Sequence, residues 1–348
     1  MTIWEKVKNK NKPITGLELR ITGSNIHAEF ELDNVQLRYY QRDRSWQKMV
    51  DLRTKEYRTT NVQFTSTLPD DTVVSVKMIK NNFPFGATID KFMEESIDIN
   101  DWPVVFDWGV CKNEMKWYAN ERVEYKEDYE YADFIMKKFT EWNTTMRGHV
   151  VYWSVDDMNP KWFQEGLYAG DKWDEMNERL WNRIESVLSR YAGKIPNWDI
   201  FNEAFHGDLY VRYFGDDIWE TMIDRAREID PDMEIAFNDY ELVSGEMSVC
   251  WIEYMERILD KIDMIGVQGH MKPFVNGHVV NRRLDTISQY NHRVWVTEFD
   301  IKSEDSAEKG NDVEDFMRVA FSHPNVDAIL IWDWLRVEYS YDTEIRNG

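Results

Sequence analysis

Two glutamates stand where apolar runs give way to polar residues. Glu203 follows Trp198, Ile200 and Phe201 in "NWDIFNEAFHGD" (197–208), with Asn202, His206 and Asp208 beside it. Glu298 stands in "RVWVTEFDI" (293–301), with Asp300 two residues on. A loop carboxylate is usually a solvated charge; one at the end of a buried strand is placed there at a cost. Two such groups facing each other can divide the work of cleaving a glycosidic bond. One holds a proton and acts as general acid. The other stays ionised and attacks, about 5–5.5 Å away when configuration is retained.

The elements that would bring them together are legible in the hydrophobic pattern. From about Phe83 onward, short apolar runs rich in β-branched and aromatic residues alternate with longer segments of helical spacing. The runs are "PFGATI" (84–89), "PVVFDWGV" (103–110), "MRGHVVYW" (146–153), "NWDIFNEA" (197–204), "MEIAFNDY" (233–240), "MIGVQGHM" (264–271), "RVWVTEFDI" (293–301) and "AILIWDW" (328–334). Near-continuous apolar runs suit strands buried on both faces, as in a parallel sheet. Between them, Met176, Leu180, Trp181, Ile184, Val187, Leu188 and Tyr191 fall on one helical face, and Gly193 and Pro196 end that helix. Eight strands alternating with helices predict a (β/α)8 TIM barrel, with Glu203 and Glu298 at its C-terminal face. A doubly wound open sheet is the alternative, weakened because no glycine-rich phosphate loop follows any strand. The spacing assigns residues 1–82 to a small β-rich N-terminal extension, with a strand over 28–41, a helix around 45–57 and a strand pair either side of "LPDDT" (68–72). Residues 83–348 form the catalytic barrel. Only fourteen residues follow the eighth run, so the eighth helix is expected to be missing or truncated.

The chain has 348 residues and a net charge of −22, so a phosphate backbone would be repelled and nucleic acid is excluded as the expected partner. No run of 18 apolar residues occurs, so no membrane span is expected. The start, "MTIWEKVKNKNKP", lacks the apolar stretch of a signal peptide. Cys111 and Cys250 have no metal-ligand spacing, and two free thiols are expected. With 16 Trp and 17 Tyr, some rings are available to pack against the apolar faces of sugars, although most should be core.

From about Phe83 to Tyr341 the chain resembles glycoside hydrolase family 10, the endo-β-1,4-xylanase family. The matching pieces occur in the family's order: "FPFGATI", "KNEMKW", "RGHVVYW", "WDIFNEA", "FNDYEL", "GVQGHM", "VTEFDI" and the Trp of "LIWDW". The resemblance implies a secreted, extracellular, monomeric enzyme that needs no cofactor or metal and cleaves xylan with retention. It implies that Glu203 is the acid/base and Glu298 the nucleophile. Asn202 would bond the 2-hydroxyl of the sugar at the cleavage site. His270 would bond the nucleophile, with Asp300 orienting it. His149 and Trp153 would form the floor of the −1 subsite. Asn113 and Lys116 would contact the −2 and −1 sugars, and Gln268 and Trp332 would complete the shell. The segment 28–41 resembles the final strand of β-sandwich carbohydrate-binding modules, which implies a remnant of such a module without sugar binding of its own.

Three departures from the family fall on the glycone side. Lys112 stands where the family has Glu; Ser154, Val155 and Asp156 replace its His-Ser-Gln; and Tyr339, Ser340 and Tyr341 stand near the place of a second Trp. Lys112 would then pair with Asp156 across neighbouring strands, exchanging donor and acceptor at the −2 subsite. Two other functions stay open: hydrolysis of another β-glycan or a mixed-linkage xylan, and carbohydrate binding without catalysis.

Overall fold

The computed structural model describes residues 44–333, except 64, 66, 68, 70–71, 78–80, 91–101, 246–247 and 304–305. Ten strands build the barrel: β1 (Phe85–Ile89), β2 (Trp108–Cys111), β3 (Thr145–Gly148), β4 (Tyr152–Trp153), β5 (Asn197–Asn202), β6 (Glu234–Asp239), β7 (Met264–Val267), β8 (His270–Met271), β9 (Arg293–Ile301) and β10 (Val326–Ile331). Every pairing is parallel, and β10 pairs with both β9 and β1, which closes the sheet. Eight barrel positions are filled, because β4 and β8 continue the positions of β3 and β7 after a bend. The open-sheet alternative is thereby overturned: each strand end finds its hydrogen bonds on both sides.

Helix α1 (Gln47–Tyr57) precedes the first strand, and α2 (Glu130–Glu141), α3 (Trp173–Tyr191), α4 (Ile218–Ile229), α5 (Ser248–Leu259), α6 (Gly277–Ile287) and α7 (Ser306–Ser322) return the chain between strands. On α3 the apolar stripe is buried as the spacing requires, and Arg179 and Arg183 are buried with it. Arg183 donates to the carbonyls of Met115 (2.5 Å), Val150 (3.1 Å) and Val151 (3.3 Å). It thereby satisfies backbone that has left the sheet at the bend between β3 and β4.

Three of the expected strands differ in outline. Residues Trp102–Val105 form a short helical turn, and the second strand starts only at Trp108. Pro103 lacks an N–H and suits the first turn of a helix better than a central strand. The third and sixth runs, 146–153 and 264–271, each break in two. The break in the first lies at His149 and Val150, joined by a cis peptide bond, and in the second at Gln268 and Gly269. Gly269 has φ of 81°, which favours glycine, and a Cβ there would meet Val296 Cγ1 at 3.0 Å. Both bends lie beside histidines, His149 and His270, that reach the barrel mouth.

In the N-terminal segment the helix expected around 45–57 forms as α1 (Gln47–Tyr57). The strand pair expected either side of 68–72 does not: none of the described residues from 59 to 77 lies in a strand. The expected strand over 28–41 lies outside the described residues, as does any eighth helix after Asp333. Helix α1 is tied to the barrel wall. Trp46 is buried against Gly277, where a Cβ would come within 2.6 Å of the indole. Arg53 bonds Asn281 and Asp285, and Arg58 donates to the carbonyls of Phe321 (2.6 Å), His323 (2.7 Å) and Val326 (2.5 Å).

Candidate active site

The C-terminal ends of the strands carry the two glutamates. Glu298 lies within β9 and is buried, its N–H bonded to the carbonyl of Gln268 at 2.9 Å. Glu203 lies one residue beyond β5 with φ of 56°, a left-handed conformation uncommon for a residue with a side chain. Its N–H bonds the carbonyl of Asn238, and its own carbonyl accepts from His206 and Gly207, so a tight turn fixes the strained backbone.

A chain of amides connects the two carboxylates. Gln268 Nε2 donates to Glu203 Oε1 (3.0 Å) and approaches Asn202 Oδ1 (3.3 Å). Asn238 Nδ2 donates to the same Asn202 oxygen (2.9 Å) and to Glu298 Oε1 (2.7 Å). Asn238 is itself oriented by Thr297, whose hydroxyl donates to its Oδ1 at 2.6 Å. The second oxygen of Glu203 accepts from the Trp153 indole at 2.7 Å.

The two carboxyls are driven apart in proton affinity. Burial raises Glu203 above the usual carboxylate range, and the charges of Glu298 and Asp239 add to it, against the hydrogen bonds from Gln268 and Trp153. Burial also opposes ionisation of Glu298, but the His270 hydrogen bond and the charges of His149, His270 and Lys116 prevail and hold it at about 2. His270 Nδ1 lies 2.8 Å from Asp300 and Nε2 lies 3.4 Å from Glu298 Oε2. A ring flanked by two carboxylates favours both N–H groups. Although burial disfavours its charge, those partners push its pKa up to about 10.

The other residues singled out by sequence converge on the same mouth. His149 Nδ1 bonds Asp199 at 2.8 Å, which leaves Nε2 facing Glu298 Oε1 at 3.9 Å. Lys116 donates to Asn113 (3.1 Å), and its ammonium lies 4.5 Å from the Trp153 ring and 5.5 Å from the Trp332 ring. Trp332 stands edge-on to His149 and His270 at 5.7 and 6.3 Å between centroids. Three supports were not foreseen: Asn238, and the buried Arg147–Asp199 ion pair behind His149. Their signal was present as polar residues in the middle of apolar runs, where burial demands a partner.

The expected Lys112–Asp156 pair does not form. Lys112 Nζ lies 2.5 Å from Asp333, just beyond β10, whose N–H is held by the Thr88 hydroxyl. Asp156 instead takes Arg212 at 2.6 and 2.7 Å and the Tyr168 hydroxyl at 2.6 Å. A single guanidinium nitrogen, Arg212 Nη2, donates to both oxygens, and this charge-assisted contact holds the carboxylate. Tyr339, Ser340 and Tyr341 lie outside the described residues.

This mouth has a counterpart among known families. The model of glycosyl hydrolase family 10 matches residues 75–346. The chain belongs to glycosyl hydrolase family 10. Two family relatives from Arabidopsis thaliana, Endo-1,4-beta-xylanase 1 and Endo-1,4-beta-xylanase 3, are each 32% identical over 77% of this chain, covering 29% and 36% of their own lengths. Anti-sigma-I factor RsgI6 of Acetivibrio thermocellus is 29% identical over 84% of the chain and 39% of its own length. The chain thus spans between 29% and 39% of the length of these relatives. The xylanase 10B structure from Thermotoga petrophila RKU-1, solved with xylobiose, shares the fold at a TM-score of 0.64 and 20% identity, covering 76% of this chain and 85% of that one.

Proposed function

We propose that this family 10 chain is an extracellular endo-β-1,4-xylanase that works by double displacement with retention. The observation that carries the reading is the opposed state of two carboxyls on one mouth. Glu203 is raised by burial and by neighbouring charge, so it can bring a proton to the leaving oxygen. Glu298 is held ionised by His270 and can attack the anomeric carbon. The covalent glycosyl intermediate is then opened by water, with Glu203 returning as base. Asn202 has its oxygen engaged by Asn238 and Gln268, and its amide donor serves the 2-hydroxyl, where a bond strengthens as positive charge develops on the ring. Lys116, Asn113, Trp153 and Trp332 line the glycone side, and the Arabidopsis relatives named as endo-1,4-beta-xylanases support the substrate. A monomer acting on the polymer outside the cell fits a substrate too large to cross a membrane.

A relative named as an anti-sigma-I factor and not as a hydrolase, matched over most of the chain, supports a second reading, in which the family fold serves without turnover, as a carbohydrate-binding protein. A reducing-sugar assay on soluble xylan beside a binding assay on the same polymer separates the two. Release of reducing ends that Glu298→Ala abolishes supports the enzyme. Binding with no release supports the second reading.

A further inference from the structure

Beyond the mouth, on the side where β4 and β5 end, aromatic rings are left open that no step above uses. Tyr168, near the end of the helix Lys161–Ala169, is 53% exposed, and Trp173, the first residue of α3, is 47% exposed. Large rings left half in water are held there by something other than core packing. Both are fixed by hydrogen bonds. The Trp173 indole donates to the carbonyl of Tyr213 at 3.4 Å, and the Tyr168 hydroxyl donates to Asp156 at 2.6 Å. Tyr213 joins them: its ring lies 6.2 Å from that of Tyr168 and has the Arg212 guanidinium 5.3 Å from its centroid. Next to Trp173, residues Gly170 to Glu175 line a cavity of about 320 Å³, in which Lys172 and Glu175 lie 3.7 Å apart. The rings and the cavity therefore form one band, in which apolar faces alternate with charges of both signs.

The band is tied to the mouth. Asn159 Nδ2 donates to the carbonyl of Trp153 at 2.8 Å, its Oδ1 accepts from the Tyr210 hydroxyl at 2.5 Å, and the N–H of Leu209 donates to the carbonyl of Ser154 at 3.2 Å. The helical segment Leu209–Phe214, which carries Tyr213, is thus fastened to the strand end that brings Trp153 to Glu203. We propose that Tyr168, Tyr213 and Trp173, with the adjoining cavity, form a second carbohydrate-binding surface, which holds a distant stretch of the same neutral β-glycan chain that is cut in the mouth. The proposal rests on the reading of the chain as a glycanase. A pyranose presents C–H groups to a ring face and hydroxyls to its sides, which matches rings interleaved with Asp156, Arg212, Lys172 and Glu175. A protein partner would have to strip water from those charges, and interface centres are depleted of them. The net charge of −22 repels an anionic polymer. Rings already fixed by hydrogen bonds have little freedom left to lose on binding.

The test compares a polymer that reaches both places with a substrate that ends at the mouth. Affinity electrophoresis through soluble xylan measures the first, on the Glu298→Ala protein so that the polymer stays whole. Hydrolysis of an aryl β-xylobioside by protein with Glu298 intact measures the second. Two sites on one chain raise each other's effective concentration, so removing the outer one weakens binding of the polymer alone. Trp173→Ala with Tyr168→Ala should raise the Kd for xylan about tenfold and leave kcat/KM on the aryl xylobioside within about twofold. Each single variant is measured beside the double, so that a misfolded protein, seen by circular dichroism, leaves the other to decide. Unchanged retardation would mean that the band bears no sugar and serves some other partner. Equal losses on polymer and aryl xylobioside would mean that the rings merely support the mouth. Either result overturns the proposal. Failure of the xylanase reading shows separately, as no release from xylan or the aryl xylobioside by the wild type, and retardation is then measured in the glycan that the wild type binds.

Discussion

At the scale of single residues, the proposed function rests on an asymmetry between two glutamates of the same chemistry. Glu298 has His270 and Asn238 as donors; Glu203 has the neutral donors Trp153 and Gln268 and a like charge nearby. Glu298→Ala should remove at least about 10³-fold of kcat, roughly 4 kcal/mol of barrier, while far-UV circular dichroism stays that of the folded protein. Glu203→Ala should hurt natural xylan far more than an activated aryl glycoside in the first step, because a good leaving group needs little protonation. Comparable losses on both substrates would remove Glu203 from the role of acid. The pKa shifts also give pH dependence a sign. Glu298 is lowered, so its contribution to stability is present above its unfolded value and is lost as pH falls from there toward 2. His270 is raised, so its contribution is full below its unfolded value and is lost as pH rises toward 10. His270→Gln removes a charge that keeps Glu298 ionised and should move the acid limb of kcat/KM to higher pH. A profile that does not move would mean that Asn238 and the charges of His149 and Lys116 suffice.

At the scale of elements, strand existence was legible and strand ends were not. Runs such as 197–202, 234–239 and 293–301 are buried along almost their whole length, and their apolar cores (Trp198, Ile200 and Phe201; Ile235, Ala236 and Phe237; Val294, Trp295 and Val296) carry the strand assignment despite the polar residues among them. The breaks at His149 and Gly269 were hidden because residues around them stay apolar while the backbone turns; what pays there is backbone bonding, through groups such as Arg183, which periodicity does not report. The site residues were legible because each stands at a strand end within a recognisable piece. Adjacency of β2 and β3 does not bring Lys112 to Asp156, because the lysine side chain reaches across β1 to Asp333. Helix α1 belongs to the barrel wall by its contacts. Arg58→Met keeps the apolar stem and removes donors to three carbonyls, and should cost about 2 kcal/mol, given the usual worth of charged hydrogen bonds. Urea unfolding with an unchanged slope and a lower midpoint would show it. An unchanged midpoint would mean that α1 is dispensable to the barrel.

At the scale of the molecule, a closed parallel barrel explains why residues about a hundred positions apart in sequence meet in one mouth. Strand order around the barrel puts the residues assigned to the glycone on β2, β3 and β10, the proposed acid at the end of β5, and the proposed nucleophile on β9. Under the proposed mechanism the cleft has a direction, and a sugar chain lying across it would be cut between the two groups. The strong negative charge of the chain is no obstacle to a neutral polymer, in contrast to a phosphate backbone. The central claim is that Glu298 attacks the anomeric carbon and Glu203 delivers and later recovers the proton. The measurement that tests it most directly is proton NMR of the anomer first released from a β-1,4-linked xylo-oligosaccharide, followed before mutarotation. Retention gives the β anomer first, with no product in the Glu298→Ala protein. An α anomer at the earliest times would contradict the double displacement and take the nucleophile's role from Glu298.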